Sequence, residues 1–274
     1  MFARAYEQSR PAFLPYYPVG YPDLEHSLDA IVAMSRAGVD GFEIGIPFSD
    51  PLADGPTIQA ATQRSLEQGT TVRDCVAAVR TLRERGVNQP LLLMGYLNPL
   101  LAYGVEEFVA DIREAGADGL LVPDLPPDEG QEICDICERA SMALVFFLAP
   151  TSDARRIRLV DRHSSGFIYC VSLTGVTGER DALPQDLQDF IARVRAGARN
   201  RLVLGFGIST PQQARQMNGL VDGFVVGSAL VRAGAEGPAA TGALAASLRD
   251  SLELDYHFFN PALLTALCGL AIMP

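Results

Sequence analysis

The sequence contains no lysine: all 22 basic residues in its 274 positions are arginine. A Schiff base to a carbonyl substrate or to pyridoxal phosphate needs a lysine amine, so neither can form on this chain. Any carbon–carbon bond cleavage of the aldol type must then proceed without a lysine nucleophile.

Histidine and cysteine are also scarce, and their positions argue against metal or disulfide chemistry. His26, His163 and His257 all lie away from the carboxyl ends of the predicted strands, so we expect no metal site. Five cysteines form no disulfide framework and are typical of a reducing compartment. Cys134 and Cys137 have redox-like spacing but lie in a helical pattern, which favours two buried helical cysteines.

The composition predicts a globular protein of the cytoplasm. The chain is 48% hydrophobic and 20% charged, which is enough for a sizeable core. The N-terminus lacks the apolar run of a signal peptide, and no stretch reaches the roughly 20 apolar residues of a membrane span. A net charge of −11 argues against binding to nucleic acid or to an anionic membrane.

Eight apolar runs of strand length alternate with amphipathic, helix-like segments. The runs are 13–20, 41–48, 90–96, 119–125, 144–150, 166–173, 201–208 and 223–230. Continuous apolar runs are typical of parallel strands covered on both faces. The pattern predicts an α/β fold of the (β/α)8 TIM-barrel type, as a single domain over 1–274 with an atypical C-terminal tail from about 251. A doubly wound sheet is the alternative, but no GxGxxG follows the first strand.

A weak repeat precedes alternate strands. Its copies are "AGVDGFEIG" (37–45), "AGADGLLVP" (115–123), "GLVDGFVVG" (219–227) and the looser "SSGFIYC" (164–170). Chemistry in such barrels lies at the carboxyl ends of the strands, whereas the opposite face serves stability. The repeat therefore falls on the stability face, and the loops after strands are the candidates for function: 47–59, 97–104, 174–183 and 207–212.

Glu43 is an acid inside an otherwise apolar strand. Alternation places it on the same face as Gly41, Gly45 and Pro47, whose small size leaves room in the barrel interior. A structural ion pair is the alternative, but no arginine lies in the interior of a predicted strand. Burial disfavours an ionised carboxyl and raises its pKa, which suits a general acid/base.

The loop that follows carries Asp50 and Asp54. An aspartate in a Gly- and Pro-rich loop is usually a turn former or a helix cap. Asp54 becomes a candidate for catalysis because its loop lies directly above Glu43.

Glycines at consecutive strand ends predict an anion site. Loops after the seventh and eighth strands of barrels often bind phosphate through backbone N–H groups. Gly178, Gly207, Gly227 and Ser228 lie in such loops, where small residues let an anion approach the backbone. Tight-turn packing is the alternative explanation. No GxSxG or Cys–His pattern offers a nucleophile.

The motif "FEIGIPFSDPLADGPTIQ" (42–59) closely resembles the signature of the tryptophan synthase α subunit family. "LLLMGYLNPLLAYG", "LLVPDLP", "GVTG", "GFGIST" and "GFVVGSAL" resemble later motifs of that family in the same order, and the similarity runs from about residue 11 to about 235. The resemblance implies a barrel lyase of tryptophan biosynthesis that splits indole-3-glycerol phosphate into indole and glyceraldehyde 3-phosphate, without a cofactor of its own.

The resemblance also implies roles for particular residues. Glu43 handles the protons of the retro-aldol step, and Asp54 binds the indole N–H. Gly178, Gly207, Gly227 and Ser228 match the phosphate loops. Further family positions line the substrate site or close over it: Tyr169, Thr177, Tyr96 and Asp124.

The family enzyme works with a pyridoxal-phosphate β subunit in an α2β2 complex, so the resemblance implies this partner. The loop at 50–56 and the loop after the sixth strand would then form part of the docking surface. Three alternatives stay open: a stand-alone lyase that releases free indole, a weakly active paralogue that acts as an allosteric partner, and another phosphate-binding barrel such as an isomerase.

Overall fold

The computed structural model describes residues 1–171, 184–205 and 207–252. Within them the chain forms nine parallel strand segments and twelve helices. The strand segments are β1 Ala12–Pro18, β2 Phe42–Gly45, β3 Leu91–Met94, β4 Gly119–Leu121, β5 Ala143–Val145, β6 Phe147–Leu148, β7 Ile168–Val171, β8 Leu202–Gly205 and β9 Gly223–Val226. The helices are α1 Phe2–Glu7, α2 Leu24–Arg36, α3 Pro56–Glu67, α4 Val72–Glu84, α5 Leu97–Tyr103, α6 Val105–Ala115, α7 Gln131–Arg139, α8 Ala154–His163, α9 Gln185–Gly197, α10 Pro211–Arg215, α11 Ser228–Gly234 and α12 Pro238–Asp250.

The strands close into a barrel. Their order is β5-β4-β3-β2-β1-β9-β8-β7-β6, and every neighbouring pair is parallel. Only Phe146 separates β5 from β6, so these two segments are one interrupted strand that joins the two ends of the sheet. The barrel thus has eight strands, and the (β/α)8 prediction is confirmed against the doubly wound alternative.

The break at Phe146 has a local cause. The Phe146 backbone N–H donates to the Ser164 hydroxyl at 3.3 Å instead of to a strand neighbour. Its ring packs over Gly130, where a Cβ would lie 2.7 Å from the ring. Its carbonyl still accepts the Tyr169 N–H of β7 at 3.0 Å, so the ladder is interrupted only at the Phe146 N–H.

Several elements differ from the predicted boundaries. The run 223–230 is a strand only to Val226, and its remainder starts α11 at Ser228. A short apolar run does not distinguish a buried strand from a buried helix, which explains the error. Helix α1 was not predicted; it packs against the barrel, with the Phe2 ring 6.0 Å from the Phe167 ring. No helix within the described ranges is both long and apolar enough to cross a membrane.

The repeat before alternate strands is a recurring joint between two neighbouring strands. In each copy one side-chain oxygen accepts a backbone N–H at 2.9 Å from the start of the preceding barrel strand. The N–H of the same residue donates back to the carbonyl of that strand residue at 2.8–3.0 Å. The joined residues are Asp40 with Phe13, Asp118 with Leu91, Ser165 with Leu144, and Asp222 with Leu202.

Arginines pair with the three aspartates of these joints. Arg10 forms a bidentate pair with Asp40 at 2.5 and 2.9 Å, and both side chains are fully buried. Arg83 pairs with Asp118 at 2.7 Å, where the aspartate is about half exposed. All four joints precede their strands, on the face that the sequence assigned to stability.

Candidate active site

A cavity of about 350 Å³ opens at the carboxyl ends of the strands. None of the described residues that line it is basic. They come from strand ends and from the loops after them: Tyr16, Glu43, Ala53, Asp54, Gly55, Ile58, Met94, Pro123, Phe147, Tyr169, Val171, Gly205, Gly207, Val225, Gly227 and Ser228. The cavity therefore brings Glu43, Asp54, Tyr169, Gly207, Gly227 and Ser228 together, as the sequence predicted.

Glu43 lies at the inner end of the cavity and is completely buried. Both of its carboxyl oxygens lack a hydrogen-bond partner among the described residues. Burial, followed by the nearby Asp54, raises the pKa of this carboxyl well above its usual value. No arginine pairs with Glu43 in the described ranges, so the structural ion pair considered as an alternative is not seen. An unpaired buried acid is costly to fold and typical of a functional site.

Asp54 lies on the loop between β2 and α3, above Glu43. Burial raises the pKa of its carboxyl to about 6, and a hydrogen bond from Tyr96 acts in the opposite direction. The Tyr96 hydroxyl donates to Asp54 Oδ2 at 3.0 Å and accepts the Ala53 N–H at 3.0 Å. The N-cap of α3 is Gly55, so Asp54 does not cap that helix.

Asp50 lies on the same loop but differs from Asp54 in its surroundings. It is exposed, accepts the Ser49 hydroxyl at 2.5 Å and does not line the cavity. Asp50 is therefore a turn residue, whereas Asp54 on the same loop belongs to the site.

Tyr96 and Asp124 do not line the cavity. The Tyr96 ring packs 5.3 Å from the Phe48 ring, and its hydroxyl is occupied by the loop at Asp54. Asp124 accepts the Leu97 N–H at 2.9 Å, at the start of α5. The structure therefore gives Tyr96 a role in holding Asp54, and direct substrate binding by either residue stays a prediction.

The opposite side of the cavity is formed by backbone at the ends of β8 and β9. Gly207 has a φ of +72°, which favours glycine. Gly227 is the N-cap of α11, so the first N–H groups of that helix lie beside the cavity. Thr177 and Gly178 lie outside the described residues, and their predicted roles are untested.

Sequence reasoning missed several lining residues, above all Tyr16. Its strand is buried on both faces, so alternation does not mark which side chains point inward. Further walls come from Phe147 and Met94 on strands and from Ile58 on α3, none of which the sequence singled out. A cavity with such walls and two carboxyl groups suits a flat, largely apolar substrate with a few polar groups.

The remaining cysteine and histidine candidates lie elsewhere. Cys134 and Cys137 are on α7, as predicted, but only Cys137 is buried. Cys134 is half-buried, and its sulfur lies 3.7 Å from His163 Nδ1, which the sequence did not indicate. The described residues contain no group of three or more possible metal ligands.

The fold and the cavity define a class of protein: a (β/α)8 barrel with two carboxyl groups in an apolar cavity at the carboxyl ends of its strands. A family model described as tryptophan synthase alpha chain matches residues 2–253. The chain belongs to the tryptophan synthase alpha chain family. The match extends beyond the range of about 11 to about 235 indicated by the motifs.

Relatives of known name and structure agree with this assignment. Tryptophan synthase alpha chains from Chloroflexus aggregans and Roseiflexus castenholzii are 50% and 48% identical over 230 residues, which is 84% of this chain and 86% and 88% of theirs. A solved tryptophan synthase structure from Mycobacterium tuberculosis matches with a TM-score of 0.87 at 38% identity, over 92% of this chain and 96% of the other. The alpha chain from Legionella pneumophila matches with a TM-score of 0.84 at 31% identity, over 92% and 95%.

Proposed function

We propose that this chain cleaves indole-3-glycerol phosphate to indole and glyceraldehyde 3-phosphate, with Glu43 and Asp54 as its catalytic residues. The observation that carries the proposal is the buried, unpaired Glu43 carboxyl in a cavity shared with Asp54, in a chain of this family. The reaction is a lyase step of tryptophan biosynthesis, and we expect it to take place in the cytoplasm.

The reaction needs two carboxyl groups with different roles. Indole becomes a leaving group only when C3 of its ring gains a proton, and the hydroxyl on the adjacent side-chain carbon must lose one. The carbon–carbon bond then breaks, leaving the electron pair with the indole and an aldehyde on the glyceraldehyde 3-phosphate. Glu43 suits both proton transfers because burial raises its pKa, which favours a protonated carboxyl that can give its proton to the ring and then accept one from the hydroxyl.

Asp54 suits the other end of the substrate. Protonation at C3 develops positive charge on the ring, and a carboxylate that accepts the ring N–H stabilises that charge. The pKa of about 6 leaves Asp54 largely ionised at neutral pH. Tyr96 holds the Asp54 carboxylate in place, so the carboxylate loses less conformational freedom when the substrate binds.

The phosphate group fits the backbone side of the cavity. Gly207, Gly227 and Ser228 line it there, and Gly178 is the further candidate from the sequence. N–H groups and the start of α11 would bind the anion without a basic side chain. Tyr169 would contact the substrate from the facing strand, and Thr177 would close over it.

We further propose a β subunit as partner and a single barrel domain over 1–274, with a separate tail from about 251. Two exposed apolar residues support a docking surface: Leu52 is 90% exposed on the loop that carries Asp54, and Leu101 on α5 is 57% exposed. Both residues follow the carboxyl ends of barrel strands, which is the side on which the cavity opens.

Replacing Glu43 by Gln tests the proposed function. Gln keeps the size of the side chain but transfers no proton, so indole release from indole-3-glycerol phosphate should fall by at least about a thousandfold. Steady-state assays of the purified chain, with and without a tryptophan synthase β subunit, measure this. Acceleration by the β subunit supports the α-subunit proposal. Fast turnover that the β subunit does not change favours a stand-alone lyase. An active Gln variant would contradict the role of Glu43.

A further inference from the structure

Tyr16 of β1 faces the same cavity as Glu43. The two residues are register partners on neighbouring parallel strands. The Tyr16 ring extends over Gly45, where a Cβ would lie only 2.3 Å from the phenol oxygen. Glycine at position 45 thus makes room for the Tyr16 hydroxyl.

The position of that hydroxyl relative to Glu43 follows from strand geometry. Gly45 lies two residues after Glu43 on the same face of β2, a separation of roughly 6.6 Å. The glutamate side chain reaches part of this distance, and the phenol oxygen lies over Gly45. The hydroxyl therefore lies further along β2 than Glu43, toward the loop that carries Asp54.

Glu43 needs a hydrogen-bond donor during turnover. Once it has given its proton to the indole ring, it is a buried carboxylate, and a buried charge without a donor is costly. In the described ranges the Glu43 oxygens have no hydrogen-bond partner, and the Tyr96 hydroxyl already donates its hydrogen bond to Asp54. Among the described residues, the phenols that line the cavity are those of Tyr16 and Tyr169.

The charge of Glu43 acts on both phenols, and the strand register favours Tyr16 as the donor. Its strand is hydrogen-bonded directly to β2, and its hydroxyl lies over the strand that carries Glu43. The Tyr169 ring is seated over Gly205 on β8, which β9 and β1 separate from β2. No hydrogen bond of the Tyr16 hydroxyl occurs within 1–171, 184–205 and 207–252, so its proton is available there.

We propose that Tyr16 is a positioning residue whose hydroxyl donates a hydrogen bond to the ionised Glu43 carboxylate. This inference rests on the proposed function, because it concerns the proton-transfer group of that reaction. The hydrogen bond stabilises the carboxylate that remains when the proton has moved to the indole ring. It also holds the carboxylate oriented toward the reacting carbon.

The groups that face Glu43 determine the expected direction of a pH effect. Asp54 lies on the loop above it, Tyr16 on β1 and Tyr169 on β7, and Cys75 on α4 adds a further neutral acid near Tyr16. Asp54 disfavours ionisation of Glu43, so a phenol donor is the group that opposes this effect. Removing the donor should raise the pKa of Glu43 further.

The Tyr16→Phe variant tests the proposal, and Tyr17→Phe is its matched control. Tyr17 is the next residue on the strand, is fully buried, has an unpartnered hydroxyl and points away from the cavity toward Gly234. Both variants lose one buried phenol oxygen, but only one loses it beside Glu43. Thermal unfolding checks that both are folded.

Two measurements are made on each variant. The pH profile of kcat/KM for indole release gives the apparent pKa of the essential acid or base. Carboxyl carbon NMR of protein labelled at glutamate titrates Glu43 in the free chain, and the Glu43→Gln variant identifies the signal. In Tyr16→Phe we expect both to move upward by at least about one pH unit, with kcat at least about tenfold lower.

The outcomes separate this inference from the proposed function. An inactive wild-type chain would refute the function, whereas the NMR titration would still report the contact between Tyr16 and Glu43. Unshifted titration in Tyr16→Phe, or the same shift in Tyr17→Phe, would overturn the inference. A shift in Tyr169→Phe but not in Tyr16→Phe would also overturn it, since Tyr169 would then be the donor.

Discussion

Replacing Asp54 by Asn should stabilise the protein at neutral pH while it damages catalysis. The cause is burial, which raises the pKa of Asp54 from 3.8 to about 6. Between these two values the folded state binds more protons than the unfolded state, so this group lowers stability as the pH rises through that range. Asn has the same shape, carries no charge and still accepts the Tyr96 hydrogen bond.

The size of the effect follows from the pKa difference. Each unit corresponds to about 1.4 kcal/mol, so the ionised Asp54 costs at most about 3 kcal/mol once the pH is well above 6. Of this, about 1.4 kcal/mol develops between pH 5 and pH 8. For a domain of this size, about 1.4 kcal/mol corresponds to a change in Tm of roughly 3–6 °C.

Thermal unfolding of the wild type and of Asp54→Asn at pH 5 and pH 8 measures this. We expect the variant to melt higher at pH 8, with a smaller advantage at pH 5, and to release indole more slowly, though less severely impaired than Glu43→Gln. Asp50→Asn is the control, because Asp50 is exposed on the same loop. A gap in Tm that is the same at both pH values, or a variant less stable at pH 8, would refute the reasoning.

Two further predictions concern residues outside the cavity. In Tyr96→Phe the hydrogen bond that lowers the pKa of Asp54 is lost. The apparent pKa of Asp54 should therefore rise above about 6, and kcat/KM at neutral pH should fall. An unchanged pH profile would contradict the proposal that Tyr96 holds Asp54. Asp40→Ala leaves Arg10 buried without its bidentate partner and should lower the free energy of unfolding, measured by urea denaturation, by about 3–5 kcal/mol. Asp118→Ala removes a half-exposed pair and should lower it much less. Equal losses would contradict the effect of burial.

The sequence predicted most of the fold because its signals are local. Apolar runs and Gly-terminated helical segments recur along the chain, and each indicates one element. Glu43 could be placed in the interior because its neighbours at two-residue spacing, Gly41 and Gly45, are small. The structure confirms that placement.

Other features depend on contacts between distant positions, which no local pattern shows. The hydrogen bond from Tyr96 to Asp54 joins residues 42 positions apart, so the sequence did not show that Tyr96 supports the loop. The interrupted strand at Phe146 depends on Ser164, 18 positions away. Tyr16 lies in a strand buried on both faces, where burial alone does not mark the inward side.

The four joints divide the barrel into modules. Each joint links the first strand of a pair to the second, and together they cover the barrel strands as four consecutive two-stranded units. Ser165 holds its joint with a hydroxyl alone, so the shared requirement is a short side-chain acceptor, and the arginine is an addition at the aspartate copies. New chain ends at exposed Gly69, between the first and second units, would cut no joint, which makes this loop a natural site for circular permutation.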